Sequence, residues 1–173
     1  PILTAEPKPV SPSPRIVASQ PKPIAPAVKP AAAAWPTLEG GHWKTTSTSR
    51  EMKVVFDDGL FTKNTELSDG AKQDLKAVAT ALKGKGFKIE VEGHTDPSKA
   101  TGKTAAANNK SLGLARARTA SSYLTKQCGW PTGAITLSSD GDANPPHPNT
   151  TAESRKKNRT VVLKITALTA RQP

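Results

Sequence analysis

Cysteine is almost missing from this chain of 173 residues: Cys128 stands alone, which excludes an internal disulfide and a zinc site built from thiolates. Aromatic side chains make up 4% of the residues, too few for the stacking platforms on which single-stranded nucleic acids are bound. No run approaches the ~18 apolar residues of a membrane-crossing helix. His42, His94 and His147 have no metal-ligand spacing, so no metal or cofactor is expected. A nucleophile elbow of the Gly-x-Ser-x-Gly type is absent. Thr101-Gly102-Lys103-Thr104 ends like a phosphate loop, but Pro97 stands where the first glycine of that motif belongs. These absences leave no catalytic constellation, and the chain is read as a binding protein, not an enzyme.

Proline, by contrast, is plentiful and unevenly placed. Many of the 16 prolines crowd the stretch up to Pro36, in Pro7-Lys8-Pro9, Ser11-Pro12-Ser13-Pro14 and their neighbours, and Ala31 to Ala34 extend the pattern. Such a segment has no amphipathic period and cannot bury enough apolar surface to offset its ordering entropy. Residues 1–43 are therefore expected to be a disordered Pro/Ala/Lys-rich linker, dispensable for stability up to about Pro36. In polyproline II at ~3.1 Å per residue, residues 1–30 would reach about 90 Å. With neither Met nor a leader segment at Pro1, an export signal or a membrane anchor is expected upstream. The formal net charge of +11 suits a polyanion, but the basic residues are scattered and form no recognition pattern, so nucleic acid is not the expected partner.

From about Lys44 the texture changes, and residues 44–168 are read as one domain with a tail at 169–173. Met52 to Phe56 is a β-branched and aromatic run closed by Asp57-Asp58-Gly59. Ser68 is placed to cap a helix whose apolar face is Ala71, Leu75, Val78, Ala79 and Leu82, with Gly84 and Gly86 ending it. Lys88 to Glu92 alternates, with Ile89 and Val91 facing the helices. A polar loop is expected from Pro97 to about Asn109. It leads into a second helix bearing Leu112, Ala115, Thr119, Ala120, Tyr123 and Leu124, stopped by Gly129 and Pro131, with Cys128 near its end. Ala134 to Ser138 and Val161 to Ile165 read as the last strands, on either side of a loop, Asn144 to Pro148, that its prolines keep irregular. The order β-α-β-α-β-β predicts an α/β two-layer sandwich, a mixed sheet with helices on one face.

Three blocks carry a more specific signal: Glu92-Gly93-His94-Thr95-Asp96, then Asn109 with Leu112-Gly113-Leu114-Ala115-Arg116-Ala117, then Asn158-Arg159-Thr160-Val161. In this order and spacing the chain resembles the OmpA-like peptidoglycan-binding domain, found in OmpA, in peptidoglycan-associated lipoprotein and in the wall-binding protein of flagellar motor stators. The resemblance covers roughly Met52 to Ile165, with Gly141, Pro145, Asn149, Thr151 and Arg155 also matching. Gly113 departs from the usual Ser, Ser154 from a usual Gly and Thr160 from a usual Arg.

The resemblance implies the same sandwich and a bacterial periplasmic or cell-envelope location, with anchoring to the outer or inner membrane. It also implies a ligand: the diaminopimelate of the peptidoglycan stem peptide, whose free stereocentre carries an ammonium beside a carboxylate. Asp96 would take the ammonium and Arg116, expected on the first turn of its helix, the carboxylate as a planar fork. Thr95 and Asn109 would add polar contacts, with His94 as an orienting hydrogen-bond donor and Arg159 in a secondary role. The implied function is a non-covalent wall anchor for a membrane-attached protein or complex, in a stator-like or secretion-system setting among others, with a homodimer compatible. Three alternatives are weighed against it. Asp96 and Arg116 could simply pair with each other. The chain could be a basic polyanion binder using Lys8, Arg15, Lys22, Lys29 and Arg155-Lys156-Lys157. It could also be a wall-cutting enzyme, for which the sequence offers no nucleophile elbow.

Overall fold

A computed structural model describes residues 35–97, 102 and 104–168. Residues 1–34 of the expected linker and the 169–173 tail lie outside the described residues. So do residues 98–101 and 103 of the expected polar loop.

Five strands form one mixed sheet: β1 (Trp43–Ser47), β2 (Glu51–Phe56), β3 (Phe87–His94), β4 (Ile135–Gly141) and β5 (Val161–Ala167), in spatial order β1-β2-β5-β3-β4. Only β3 and β4 run parallel, because the helix between them returns the chain to the same end of the sheet. That helix is α2 (Ala105–Lys126), and α1 (Asp69–Leu82) joins β2 to β3. The expected α/β two-layer sandwich is observed, with two additions. The edge strand β1 was not anticipated, because Lys44-Thr45-Thr46-Ser47 has an exposed polar pattern and no apolar period. A third helix, α3 (Ala152–Lys157), was missed because it is a single capped turn and a half, held by reciprocal Thr151 and Ser154 hydrogen bonds.

Period-two alternation assigns the two sheet faces. Met52, Val54, Phe56, Ile89, Val91, Val161, Leu163 and Ile165 are buried in the core shared with Ala71, Leu75, Val78, Ala79 and Leu82 of α1. Ser68 caps α1 through its Oγ, 3.1 Å from the Ala71 amide, and Gly84 and Gly86 turn the chain out with φ of 76° and 68°.

The boundary drawn at residue 43 shifts toward the N-terminus. Trp35 stacks on Phe87 with ring centroids 5.3 Å apart, and its indole N–H donates to the Thr48 carbonyl at 2.7 Å. Leu38 and Trp43 are half-buried against the core, and Trp43 meets Phe56 edge-on. Two aromatics set in an otherwise Pro/Ala-rich stretch override its composition, because each supplies enough apolar area to dock the backbone around it.

Helix α2 comes closest to the sheet at a pair of glycines. A Cβ at Gly93 would overlap the Gly113 carbonyl, and one at Gly113 would overlap the Ser139 hydroxyl and crowd the Gly93 carbonyl. Ser139 Oγ donates to the Gly93 carbonyl at 2.8 Å and accepts from the Gly141 amide at 3.1 Å. The space a Gly113 side chain would need is thus already filled by a hydroxyl from β4, and this accounts for Gly at a position where the family usually has Ser. Overfilling this contact should cost ~3 kcal/mol for Gly93→Ala, which meets backbone. Trp35→Ala should cost ~1 kcal/mol. Urea midpoints of the two variants, read against a truncation that stops before Trp35 and is expected to match wild type, check both values.

Candidate functional site

Asp96 follows β3 at the corner where β3, α2 and the approach to β5 meet, and it is 4% exposed. Its carboxylate Oδ2 accepts from Arg159 Nη1 at 2.9 Å. Arg159, expected in a secondary role, is therefore the direct ionic partner, and its own side chain remains 27% exposed. The simple pairing of Asp96 with Arg116 is not what holds the corner together.

Arg116 is placed differently from expectation. Helix α2 begins at Ala105, so Asn109 lies within the helix instead of ending a loop. Arg116 sits three turns in, beyond the reach of the unpaired amides and positive end of the first turn. Its guanidinium is 1% exposed. Nε donates to the Asn64 carbonyl and Nη1 to the His94 carbonyl, each at 2.7 Å, and the group lies over the Phe61 ring, 5.3 Å from its centre. Burial pulls its pKa down to about 10, against the upward pull of Asp96 and with Arg159 adding a downward one. It remains a cation at neutral pH, fixed by two carbonyls and electrostatically coupled to Asp96.

Thr95 and Asn109 do converge on this corner. The Thr95 amide donates to the Gly141 carbonyl at 2.9 Å. A Cβ on Gly141 would press on the backbone of Asn109 and Lys110. Gly141 has φ of 62° beside a break in the β3–β4 register, where His94 pairs with Gly141 and Asp140 is bulged out. Thr95 Oγ1, Asn109 Nδ2 and Arg159 Nε are all buried and without a hydrogen-bond partner. Three orphan polar atoms therefore belong to residues that meet at the corner of the Asp96–Arg159 ion pair.

His94 does not serve as the expected orienting donor. It is 2% exposed and turns toward Glu92, with Nε2 3.4 Å from Oε2, a contact too poorly aligned to count as a hydrogen bond. Two positions that shape the corner were missed. Asn64 has φ of 40° and offers its carbonyl to Arg116; the only hint was its place in a Lys-Asn-Thr turn. Asn158 is fully buried and clamps the proline loop: its Oδ1 accepts from the His147 amide at 2.9 Å, and its Nδ2 donates to the His147 carbonyl at 2.8 Å and to Asn149 Oδ1 at 2.7 Å. Within the third block, Asn158 thus shapes the loop and Arg159 addresses Asp96.

The OmpA family model matches residues 60–159, a span that contains the first two blocks, Asn158 and Arg159 of the third, and more than half of the chain. The chain belongs to the OmpA family. No curated protein matches it. Solved structures similar to this OmpA-family domain include the cell wall anchor of the T6SS from Pseudomonas aeruginosa, 26% identical over 73% of this chain and 89% of that one, with a TM-score of 0.61. The periplasmic domain of Helicobacter pylori MotB is 22% identical over 79% of this chain and 90% of that one, also at 0.61. The OmpA-like domain of FopA1 from Francisella tularensis is 19% identical over 80% and 93%, at 0.56. The last two establish the fold. Among the described residues no helix is long and apolar enough to cross a membrane.

The burial of His94 predicts a pH dependence. Desolvation lowers its pKa from 6.5, against upward pulls from Glu92 and Asp140 and with Lys53 adding to the fall. The unfolded chain therefore binds this proton at a pH where the folded chain does not. Stability linked to His94 is complete above about pH 6.5 and is lost as pH falls below it, at up to ~1.4 kcal/mol per unit. Urea midpoints measured from about pH 7 down to about pH 5 should fall more steeply for wild type than for His94→Gln.

Proposed function

We propose that this domain binds peptidoglycan non-covalently, through the diaminopimelate of the stem peptide, and holds a membrane-attached protein or complex to the cell wall in the periplasm. The observation that carries this reading is the set of orphan polar atoms, Thr95 Oγ1, Asn109 Nδ2 and Arg159 Nε, on the residues that meet at the buried Asp96 carboxylate and its half-buried partner Arg159. Charge complementarity supports this ligand class. A group bearing an ammonium beside a carboxylate satisfies a carboxylate and a guanidinium together without leaving a net buried charge. The ammonium takes the place of Arg159 on Asp96. The ligand carboxylate is then met by the released Arg159 on the solvent side and by Arg116, held in place by the Asn64 and His94 carbonyls, from within. The similarity to a domain named as a T6SS cell wall anchor supports the anchoring role, and secretion-system or stator-like assemblies are the host complexes to test.

Asp96→Asn keeps the shape of the side chain and removes its charge, so it should fold and still lose co-sedimentation with purified sacculi. Losing one partner of a desolvated charge pair costs ~2 to 5 kcal/mol, and each ~1.4 kcal/mol is tenfold in affinity. Lys-type stem peptide, which lacks the distal carboxylate, and amidated diaminopimelate peptide should each bind about tenfold more weakly than the free diaminopimelate form. Wild-type pelleting by Asp96→Asn would overturn the assignment. Equal binding of the three peptides, fading together with salt, would favour a polyanion binder instead.

A further inference from the structure

A groove of about 530 Å³ lies between α1 and the chain leading into β1, within the ~300 to 1,000 Å³ of small-molecule sites. Half-buried Leu38, Trp43, Ala77 and Ala81 supply its apolar lining, and exposed Glu39, Gln73 and Lys76 its polar rim. Ala77 and Ala81 lie one turn apart on α1, so the helix side of the lining rises no higher than two methyl groups. The opposite wall is fixed at several points. His42 Nδ1 lies 3.7 Å from the buried Asp74 carboxylate of α1, and the His42 carbonyl accepts from the Asp57 amide at 2.8 Å. A Cβ on Gly41 would overlap the Trp43 ring, so that glycine lets the chain fold onto the indole, which also meets Phe56 edge-on.

The rim carries one charge of each sign, Glu39 and Lys76, and this balance favours a neutral occupant over an anion or a cation. The occupant must also be amphipathic, with an apolar face for Trp43, Leu38 and the two alanine methyls and polar groups around its edge for the carboxylate, amide and ammonium of the rim. A pyranose ring bearing an acetamido group meets both demands. Its faces present C–H groups, its edge presents hydroxyls, and the acetyl adds a methyl.

The groove also has a place relative to the Asp96 corner. Trp43 pairs with Phe56, Val55 with Val162, and Val161 with Gly93, so Trp43 and the end of β3 lie at one end of the sheet, three strand spacings or roughly 14 Å apart. Trp43 stands opposite the core residue Phe56 and so shares its face of the sheet, the face on which the helices pack. In peptidoglycan the diaminopimelate is the third residue of a stem that starts from a sugar, and three residues span up to about 11 Å before the sugar's own linking group is added. The sugar carboxyl is consumed in that amide link, which leaves the glycan neutral.

We propose that this groove is a saccharide site for a neutral N-acetylhexosamine unit, and that it holds the glycan of the same peptidoglycan whose stem peptide enters the Asp96 corner. The joint use of the two sites rests on the peptidoglycan reading above; the saccharide site does not.

Titrating the full chain with di-N-acetylchitobiose, while following the Trp43 indole resonance by NMR, tests the site. The resonance should shift saturably, and cellobiose, which lacks the acetamido groups, should bind about tenfold more weakly. Ala77→Gln keeps a good helix former and raises the lining; it should lose about tenfold for di-N-acetylchitobiose and bind the diaminopimelate tripeptide as wild type does. Asp96→Asn should do the reverse. A disaccharide-tripeptide should bind wild type at least about tenfold more tightly than the tripeptide alone, and Ala77→Gln should erase that gain. No saturable Trp43 shift with di-N-acetylchitobiose at tens of millimolar, an equal response to cellobiose, or an unchanged Ala77→Gln titration would each overturn the saccharide site. A disaccharide-tripeptide no tighter than the tripeptide would overturn the joint use. Failure of the peptidoglycan reading shows differently, as an Asp96→Asn variant that binds the tripeptide like wild type while the di-N-acetylchitobiose titration stands.

Discussion

The contact between Gly93 and Gly113 is the constraint on which the rest of the domain depends. Because neither residue has a side chain, α2 lies with its backbone against the end of β3, and every group at the Asp96 corner takes its position from that approach. Asn109 lies one helical turn before Gly113 and Arg116 about one turn after it, so both fall on the face turned to the sheet. A helix standing off by the usual 8 to 10 Å of side-chain packing would carry the Arg116 guanidinium away from the His94 carbonyl.

Arg116 shows how a buried cation can be made tolerable without a carboxylate in direct contact. Two backbone carbonyls and an aromatic face surround it, and Asp96 acts on it through space while bonded to Arg159. The guanidinium thus ties three separate pieces of chain to one point: the turn at Asn64, the end of β3 and the middle of α2. The rigid hold that fixes the corner would also preset the cation's position for the proposed ligand.

Much of the fold was legible because its signals were of the ordinary kind. Helix α1 has a strong apolar stripe and a serine cap, and β3 alternates cleanly. Helix α2 was harder to read, since its buried face is Asn109, Gly113, Arg116, Ala117, Ala120 and Leu124. The 3-and-4 spacing is intact, but small and polar residues occupy it, so hydropathy pointed to Leu112, Ala115 and Tyr123, which are half-exposed. The helix start was misplaced for a related reason: Ala105 to Lys110 carries no apolar residue larger than alanine, and polar composition was read as loop. The three sequence blocks marked residues that meet at the Asp96 corner but not how they pair. Which arginine meets Asp96 depends on where the chain crosses after α3, and no local pattern encodes that crossing.

The position of Trp35 bears on how the domain carries load. Trp35 sits beside Phe87 at the start of β3, whereas Asp96 lies just past the other end of the same strand, an eight-residue span of ~26 Å at ~3.3 Å per residue. Tension applied between the entering chain and the Asp96 corner therefore runs along the strand axis. The β1–β2 ladder, which joins the first strand to the sheet over Trp43 to Ser47, then resists in shear, with its hydrogen bonds strained together instead of opened one at a time as in peeling. Along that line of force the Trp35–Phe87 stack and the Trp35 hydrogen bond to the Thr48 carbonyl are met before the ladder itself.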